Sequence, residues 1–424
     1  MGKNLSLTTA LSFNKLEYFQ RKEPLNPIFW KKYTASLTIN KISNGKGILP
    51  MMIATFNPGG HETRVAITPA AVRQYINLGF EVNFETNAGK LAGFHDQEYL
   101  DAGAVIIKER KFLLENADLL LCVEEPLADE IKYLPPESFL IAPVDNHPRS
   151  ALLAWCLKHR ISVFSLNNMP RLSRAQSMDS LSSQANLAGY CSILEGATYF
   201  NRALPMMVTA AGMINPAKIL VLGAGVAGLQ AIATAKRLGA VVYAFDVRAA
   251  AKEQVESLGA EFITAGDCAN AEMQTDYANE VSDEYRALQS QVIDEHARQA
   301  NIIICSALIP DKKAPLLLKK QTIEAMKPGS VIVDLAASRG GNCELTECDQ
   351  VIKHGQITII GYSNLARKIP ATASELYANN FIHLIRFLAD PNKKLNLNET
   401  DEIIQKGMLC HDGQHLPFQF AKEH

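Results

Sequence analysis

One stretch, residues 218–248, constrains the fold of this chain more than any other. Its sequence is KILVLGAGVAGLQAIATAKRLGAVVYAFDVR. The apolar run Lys218–Leu222 predicts a buried parallel strand, and a helical pattern follows the glycines and ends near Gly239. A second apolar run, Val241–Phe245, ends at Asp246. Glycines in G-x-G-x-x-G spacing between a strand and a helix, with an acid about 20 residues further on, predict a dinucleotide-binding βαβ unit.

The three glycines of this turn have different physical roles. Gly223 permits the tight turn after the strand, Gly225 lets a pyrophosphate approach the backbone, and Gly228 lets the helix pack close to the strand. The helix N-terminus then presents free N–H groups and the positive end of the helix dipole to the phosphates. The alternative is a glycine-rich strand-to-helix turn followed by an unrelated surface Asp.

Asp246 indicates which nucleotide the unit binds. Its carboxylate can accept hydrogen bonds from the ribose hydroxyls of adenosine, and its charge would repel a 2′-phosphate. We therefore predict NAD(H) rather than NADP(H). An Arg near this point can accommodate a 2′-phosphate, and Arg248 is such a residue. Because Asp246 is present, we interpret Arg248 as solvated or in contact with the adenine edge.

The composition is that of an ordinary α/β protein. The chain has 424 residues, of which 47% are hydrophobic, and this is enough for two or three compact domains. A net charge of −2, without a basic stripe and interleaved aromatics, gives no reason to expect nucleic acid. Eight scattered Cys without a C-x-x-C pair predict no metal site and favour a reducing, cytosol-like compartment. No run of about 18 apolar residues occurs, so the chain is not expected to span a bilayer by itself.

The alternation of strand and helix patterns predicts an α/β fold with two Rossmann-like doubly wound domains and a cleft between them. Residues 1–50, with eight Lys or Arg and two acids, are expected to form a poorly ordered extension. Residues 51–170 plus 370–424 are the predicted N-terminal-type α/β domain, and residues 180–365 the NAD(H)-binding Rossmann domain. The predicted strands outside the 218–248 stretch are Met51–Phe56, Glu81–Glu85, Leu119–Val123, Phe139–Pro143, Ile161–Ser165, Ala260–Ile263, Asn301–Ala307, Ser330–Ala336 and Thr358–Tyr362.

Two helices and one loop of the first domain carry specific expectations. Thr68 and Pro69 predict a helix start, with Thr68 as the N-cap and the proline in the first turn. The segment Ser374–Leu388 is predicted to be a long helix that packs back on the first domain. The loop His61–Arg64 follows the first strand, on the side where α/β sheets place ligands. A solvated loop and a functional loop both remain open there.

A polar segment between the two domains, Asn168–Tyr190, is the second candidate site. Because it has many polar residues and little periodicity, it is predicted to be a flexible surface loop that leads into the first long helix of the dinucleotide domain. It offers a charged donor, an amide, a carboxylate and a hydroxyl, on Arg171, Gln176, Asp179 and Ser182. Together these groups can hold a neutral carboxamide such as that of nicotinamide. A structural crossover between the domains is the alternative.

Five motifs carry a resemblance to a known family. They are GGHETRVAITP, PRLSRAQSMDSLSSQANLAGY, KILVLGAGVAGLQAIATAKRLGA with its DVR, SALIP, and GSVIVDLAASRGGNCE. With them the chain, from Met51 to about Phe418, resembles the alanine dehydrogenase/transhydrogenase family. The PRLSRAQSMD segment is specific to the transhydrogenase branch of that family.

The resemblance implies roles for residues of the two candidate sites. In transhydrogenases the loop that matches residues 171–182 holds the nicotinamide of NADH, and Gln176 is implied to touch the reacting region. The implied contacts of the pyrophosphate and the adenosine ribose are Val226, Ala227, Gly228, Asp246, Val247 and Arg248. The implied residues elsewhere around the nucleotide are Tyr277 on a mobile loop that closes over NAD, Gln289 on the helix after it, and Leu308 beside the bound nucleotide.

Departures from the family pattern bear on the chemistry. Gln274-Thr275-Asp276 stands before Tyr277 where the family usually has glycines. Alanine dehydrogenases carry a lysine in the segment that matches Leu119–Pro126, where this chain has none, and His147 lacks the context of their catalytic histidine. Reducing an oxo acid needs groups that bind the carboxylate and polarise the carbonyl. Hydride transfer between two nicotinamides needs only close, oriented rings in a dry site, so the missing lysine favours transhydrogenation.

The resemblance implies a soluble subunit that binds NADH and passes a hydride to NADP⁺ held by an NADP(H)-binding partner subunit. In the family this reaction is coupled to proton movement through a membrane-spanning subunit. The resemblance also implies a homodimer in the cytoplasm, peripherally associated with the inner membrane through its partners. Two alternatives remain: an amino-acid oxidoreductase that acts on alanine or a relative, and a non-catalytic NAD-binding subunit.

Overall fold

Two β-sheets in which parallel pairing dominates organise the chain. The structure is a computed structural model that describes residues 50–57, 59–147, 150–264, 283–309, 312–389, 395, 397–398 and 400–416, with the backbone alone at 283–286. The described residues from Met51 onward form one compact unit that contains both sheets. None of the helices in the described residues has the length and hydrophobicity of a membrane-spanning helix.

The first sheet has eight strands. Their bounds are β1 Met52–Thr55, β2 Glu81–Glu85, β3 Val105–Ile107, β4 Leu119–Leu121, β5 Phe139–Ala142, β6 Ser162–Ser165, β16 Met408–His411 and β17 Gln414–His415. The spatial order is β17-β16-β6-β5-β4-β1-β2-β3, with β1 to β6 all parallel and β16 antiparallel to β6. The parallel part therefore has the order 3-2-1-4-5-6 of a doubly wound sheet, with its switch point between β1 and β4.

Helices cover both faces of this sheet. Their bounds are α1 Pro69–Leu78, α2 Asp96–Ala102, α3 Arg110–Glu115, α4 Ala151–Lys158, α10 Pro370–Leu388 and α11 Glu402–Gly407. α1 starts as predicted: the Thr68 side chain accepts a hydrogen bond from the Ala71 N–H, and Pro69 is in the first turn. α10 buries Tyr377 and Phe381 in the same core as Ile53 of β1, so the prediction that this helix packs back on the first sheet is confirmed. It begins at Pro370, before the predicted start, because a proline is tolerated in the first turn.

The second sheet has seven strands. Their bounds are β9 Lys218–Leu222, β10 Val241–Phe245, β11 Glu261–Phe262, β12 Ile302–Cys305, β13 Val331–Asp334, β14 Val351–His354 and β15 Ile357–Ile360. The spatial order is β11-β10-β9-β12-β13-β15-β14, and only the edge strand β14 is antiparallel to its neighbour. This is the same doubly wound order, and its switch point lies between β9 and β12.

Helices α5 and α10 join the two halves. The helices of the second half are α5 Ser180–Tyr199, α6 Val226–Arg237, α7 Ala251–Ser257, α8 Asp283–Gln299 and α9 Lys320–Glu324. α5 packs against α6 and against α10, and α10 packs against α1. A small cluster of Leu187, Ala366 and Ala373 fills the junction where α5, a turn at 365–368 and α10 meet. The prediction of two Rossmann-like doubly wound halves is confirmed.

A two-stranded hairpin projects between α5 and β9. Its strands are β7, Met207–Thr209, and β8, Gly212–Ile214, and every residue in them is exposed. Val208 is 77% exposed, and Met206 and Met213 beside it are also largely exposed. The sequence did not predict this hairpin, which places apolar side chains in solvent.

Candidate functional site

The glycine-rich turn leads from the carboxyl end of β9 into α6. Gly223 has a φ of 100°, and a Cβ there would lie 2.9 Å from the Ala307 nitrogen of the neighbouring strand exit. A Cβ on Gly228 would lie 1.8 Å from the Gly223 carbonyl oxygen. Side chains at these two positions would force the turn apart, because real Cβ atoms do not approach other atoms so closely.

Gly225 differs from its two neighbours in the motif. Its φ is −76°, and a Cβ there would meet nothing within 4 Å. The space beside Gly225 is therefore open, as a ligand approaching the backbone requires. Gly225 is also the N-cap of α6 and provides no side-chain hydrogen bond to the first turn. The backbone N–H groups of Val226 and Ala227, in the first turn of α6, thus have no capping side chain and can bind an anion.

The exit of β12 completes the switch point. The Ser306 hydroxyl donates a hydrogen bond of 2.8 Å to the Gly223 carbonyl oxygen, which ties the two strand ends together. Leu308, two residues on, is 53% exposed at this edge of the sheet. Ser306 begins the SALIP motif, but the sequence assigned no role to its hydroxyl, because a single serine after an apolar run has no distinguishing pattern.

A buried carboxylate at the end of β13 fixes this exit from the other side. Asp334 accepts hydrogen bonds from the backbone N–H groups of Asn342 and Cys343 and from the Thr346 hydroxyl. The Asn342 side chain then binds both the N–H and the carbonyl of Ala307. Burial raises the pKa of Asp334, although these hydrogen bonds oppose the rise. The turn Gly340-Gly341-Asn342 therefore positions the β12 exit beside Gly223.

Asp246 lies at the carboxyl end of β10 and faces the glycine-rich turn. Its Oδ2 accepts a hydrogen bond of 2.7 Å from the Ala224 N–H. Arg248 donates to the same carboxylate through its backbone N–H and through two guanidinium nitrogens. The interpretation of Arg248 as solvated or at the adenine edge is incomplete, since its guanidinium is also bound to Asp246. Val247 lies between them with an exposed side chain.

The segment around residues 171–182 is not the continuous surface loop that the sequence predicted. A 3₁₀ turn spans Ser173–Met178, and α5 begins at Ser180. Asp179 is the N-cap of α5: its carboxylate accepts hydrogen bonds from the backbone N–H and the hydroxyl of Ser182, at 2.9 and 2.5 Å. The expectation was wrong from Asp179 onward, because an N-cap Asp can start a helix whose own periodicity is weak.

Several contacts anchor this segment to the rest of the fold. Arg174 forms a two-pronged ion pair with Asp401, the N-cap of α11. The Asn380 side chain of α10 donates to the Ser177 carbonyl oxygen. In contrast, Arg171 and Gln176 are exposed, and their side chains form no hydrogen bond with any residue that the structure describes. The backbone is thus fixed while these two side chains face outward.

The segment and the dinucleotide turn are connected through α5. Gly189 lies on the third turn of α5, directly against the start of α6, and a Cβ on it would be 2.1 Å from the Ala227 carbonyl oxygen. The Asn186 side chain also donates to Gln230 across this contact. A glycine within a helix costs about 1 kcal/mol relative to alanine, so a close approach of this kind is the usual reason to find one there. A glycine in the middle of a helical pattern is thus the sequence signal for this contact.

At the switch point of the first sheet lies a network of four charged residues. The Arg64 guanidinium donates to both carboxylate oxygens of Glu62 at 2.8 Å, and Arg367 donates to Glu62 at 3.0 Å. Arg367 also binds Glu124, which follows β4. Burial by itself would raise the pKa of Glu62, but the hydrogen bonds and charge of Arg64, with the charge of Arg367, hold it below the ordinary value.

Comparison with known proteins identifies the family. The N-terminal domain model described as Alanine dehydrogenase/PNT matches residues 58–188, and the C-terminal domain model residues 192–417. The chain belongs to this alanine dehydrogenase/transhydrogenase family. Both matches lie within Met51–Phe418, the stretch over which the sequence resembles the family.

Individual relatives of this family differ in how similar they are to the chain. An NAD(P) transhydrogenase alpha-subunit chain of Rhodospirillum rubrum is 44% identical over 361 residues, covering 83% of this chain and 94% of that protein. A solved transhydrogenase structure from Sinorhizobium meliloti is 40% identical, with a TM-score of 0.75 over 86% of this chain and 98% of the other. The alanine dehydrogenase of Methanococcus maripaludis is 26% identical over 374 residues, covering 86% of this chain and 94% of that protein. The chain is thus a family member that resembles transhydrogenases more than this alanine dehydrogenase, and the family implies binding of a nicotinamide nucleotide.

For this family member, the structure brings together some of the candidate residues and not others. Gly223 and Gly228 meet the β12 exit near Leu308, Asp246 meets Arg248, and Asp179 meets Ser182. Gln289 lies on α8, the helix that leads into β12. Tyr277 and the Gln274–Asp276 departure fall outside the described residues.

Proposed function

We propose that the chain is the NAD(H)-binding subunit of a proton-translocating NAD(P) transhydrogenase. It binds NADH in the cleft beside the second switch point and passes a hydride to NADP⁺ held by a partner subunit, and a membrane-spanning partner couples this reaction to proton translocation. The observation that carries the proposal is the Gly189 contact, which packs α5, the helix that follows the residue 171–182 segment, directly against the dinucleotide turn. The transhydrogenase relatives support the same conclusion.

The nucleotide-binding roles follow from the geometry of the second half. The open space at Gly225 and the uncapped start of α6 suit the pyrophosphate, with Val226, Ala227 and Gly228 as its backbone contacts. Asp246, with Val247 and Arg248 beside it, takes the adenosine ribose. An adenosine 2′-phosphate would meet the Asp246 charge, which favours NAD(H) in this subunit and leaves NADP(H) to the partner.

The residue 171–182 segment takes the nicotinamide end. Gly189 is ten residues beyond Asp179, so about 15 Å of helix separates the α6 start from the N-terminus of α5. Arg171 and Gln176 present donors outward, and Asp179 and Ser182 fix the end of the helix behind them. Bound NADH supplies the hydride, and transfer between nicotinamide rings needs orientation and exclusion of water rather than an acid or a base. Tyr277, Gln289 and Leu308 complete the proposed surroundings of the nucleotide.

The charged network at the first switch point argues against an amino-acid oxidoreductase. An oxo acid needs a cationic side chain for its carboxylate. Arg64 is already paired with Glu62, and Arg367 with both Glu62 and Glu124. Glu124 itself lies in the segment where alanine dehydrogenases carry a lysine. The network therefore supports the transhydrogenase proposal over the alternative.

The hairpin supports a homodimer. Each of its strands has one edge that is not paired within the sheets of the described residues, and unpaired edges with apolar side chains are templates for another chain. A second copy of the same hairpin would be self-complementary about a twofold axis. We propose that the homodimer is cytoplasmic and attaches to the inner membrane through its partner subunits. We further propose domain bounds of 51–170 plus 370–424 for the first domain and 180–365 for the second.

The test is a spectrophotometric assay of the purified chain with NADH as donor. One arm contains NADP⁺ and a separately expressed NADP(H)-binding subunit, one lacks that subunit, and one contains pyruvate and ammonium. NADH oxidation that needs the partner subunit supports the proposal. Oxidation by pyruvate and ammonium would instead make the chain an amino-acid dehydrogenase. NADH binding without oxidation in any arm would favour a non-catalytic subunit.

A further inference from the structure

The carboxylate of Asp246 has no free position for another donor in this structure. Its Oδ1 accepts from the backbone N–H and the Nε of Arg248, each at 2.9 Å. Its Oδ2 accepts from the Ala224 N–H at 2.7 Å and from Arg248 Nη2 at 3.0 Å. An ionised carboxylate has about four acceptor positions, so all of them are filled.

The four donors are of two kinds. The backbone N–H groups of Ala224 and Arg248 are held by the glycine-rich turn and by the end of β10, and they stay wherever the fold stays. The guanidinium is different, because the Arg248 side chain is 41% exposed whereas that of Asp246 is 7% exposed. The Arg248 Nη2 also donates to the Ala224 carbonyl oxygen at 3.2 Å, so displacing the guanidinium into solvent breaks this hydrogen bond as well as the two to Asp246.

We propose that the Arg248 guanidinium occupies the two acceptor positions that the adenosine ribose 2′ and 3′ hydroxyls take when NAD(H) binds. The inference rests on the proposed function of Asp246. A vicinal diol supplies two neighbouring donors, as the Nε and Nη2 fork does. In the free protein the Arg248 guanidinium keeps the buried Asp246 carboxylate paired. When NAD(H) binds, the ribose diol replaces the guanidinium as the partner of this carboxylate. Arg248 then competes with the nucleotide: a ribose with both hydroxyls displaces both of its guanidinium hydrogen bonds to Asp246, whereas a ribose that lacks one hydroxyl displaces only one of them.

The test compares Arg248→Met with the wild-type chain by calorimetric titration. Arg248→Met is expected to bind NADH about two- to tenfold more tightly, because a partly exposed ion pair no longer has to be broken. An NADH analogue without the adenosine 2′ hydroxyl should gain less from the substitution. In an Asp246→Ala background, Arg248→Met should have no effect on the affinity for NADH.

Two further variants control for charge and folding. Arg298→Met also removes one positive charge, from an ion pair with Asp294 on α8, and should leave the affinity for NADH unchanged. Arg248→Lys keeps the charge without the fork, so it should bind NADH with an affinity between wild type and Arg248→Met.

Each alternative result has a definite meaning. Weaker binding of NADH by Arg248→Met than by Arg298→Met would mean that Arg248 holds the nucleotide, and equal binding would mean that it does not compete; either result overturns the inference while the NAD(H) site stands. Absence of NADH binding by the wild-type chain would overturn both the inference and the proposed function.

Discussion

Gly189 on α5 lies so close to Ala227 on α6 that a Cβ at Gly189 would stand 2.1 Å from the Ala227 carbonyl oxygen. Helix propensity alone predicts that Gly189→Ala stabilises the protein by up to about 1 kcal/mol. The close contact with Ala227 instead predicts that Gly189→Ala destabilises the protein by about 1–3 kcal/mol, because the two helices must separate. Thermal unfolding gives the sign of this change in stability. Titration of Gly189→Ala with NADH should show weaker binding than wild type, since the turn at the start of α6 would shift.

Gly196→Ala is the matched control in the same helix. A Cβ at Gly196 would lie 3.0 Å from a methyl group of the buried Ile302, and a shift of a few tenths of an ångström would relieve this contact. Its effect on both measurements should be small. If Gly189→Ala were stabilising or left NADH binding unchanged, the two candidate sites would not be joined in the way proposed.

Gly225→Ala tests the pyrophosphate position without disturbing the fold. The added Cβ meets nothing within 4 Å, and the backbone at Gly225 is open to any residue. We expect the melting temperature to stay within about 2 °C of wild type and the affinity for NADH to fall about tenfold or more, since the Cβ enters the space where the backbone meets the ligand. Unchanged affinity would place the pyrophosphate elsewhere.

Gln176→Asn tests the nicotinamide end. The side chain is exposed on an anchored backbone, so shortening it by one methylene should not affect stability. Single-turnover hydride transfer to NADP⁺ on the partner subunit should fall about 10- to 100-fold, because small displacements of the reacting rings are costly, while NADH affinity changes little. An equal loss in both would contradict the role assigned to Gln176.

The charged network predicts a pH dependence of stability. The pKa of Glu62 is held below its ordinary value of 4.5 in the folded protein. Its ionised form therefore contributes stability that is fully present above pH 4.5 and is lost as the pH falls through the folded-state pKa. Glu62→Gln should remove about 3 kcal/mol at neutral pH, because the buried Arg64 guanidinium loses its anionic partner and keeps the neutral Gln184 as an acceptor, and should flatten the dependence at low pH.

Denaturant unfolding of wild type and Glu62→Gln between about pH 3.5 and 7 measures both effects, since this range brackets the ordinary carboxylate values. Glu115→Gln is the control, since Glu115 forms an exposed surface pair with Lys111 on α3. Equal stability of Glu62→Gln and Glu115→Gln at neutral pH would show that the network contributes nothing.

Val208→Asp tests the proposed homodimer. A charge on the most exposed large apolar residue of the hairpin should be unfavourable in a dimer interface and harmless in a monomer. Sedimentation velocity should show a dimer for wild type and a monomer for Val208→Asp. Leu127→Asp, at a residue that is 70% exposed elsewhere, should remain dimeric. A dimer of unchanged strength for Val208→Asp would move the interface away from the hairpin.

The sequence was sufficient for most of the fold because the central strands are continuous apolar runs bounded by turns. Glu81–Glu85, Lys218–Leu222 and Val241–Phe245 have the predicted bounds. Short edge elements had no such signal: β3 has three residues, and the two strands of the hairpin are exposed throughout. Apolar patterning reports burial, and edge strands are only partly buried.

The candidate site was predictable where neighbouring residues along the chain form it. The glycine turn and Asp246 belong to one βαβ unit, whose spacing is fixed by the fold. The ion pair between Glu62 and Arg367 joins residues 305 positions apart, and no local sequence pattern predicts it. The ion pair between Arg248 and Asp246 likewise depends on the rotamer of Arg248, and the spacing of residues along the sequence does not specify that rotamer.

Transfer of a labelled hydride tests the central claim most directly. NADH deuterated at the reactive C4 position would be mixed with this chain, the NADP(H)-binding partner subunit and NADP⁺, and the product NADPH analysed by mass spectrometry. Direct transfer predicts deuterium in NADPH, only when both proteins are present, and none in the solvent. Deuterium lost to water, or NADPH formed without this chain, would contradict the account.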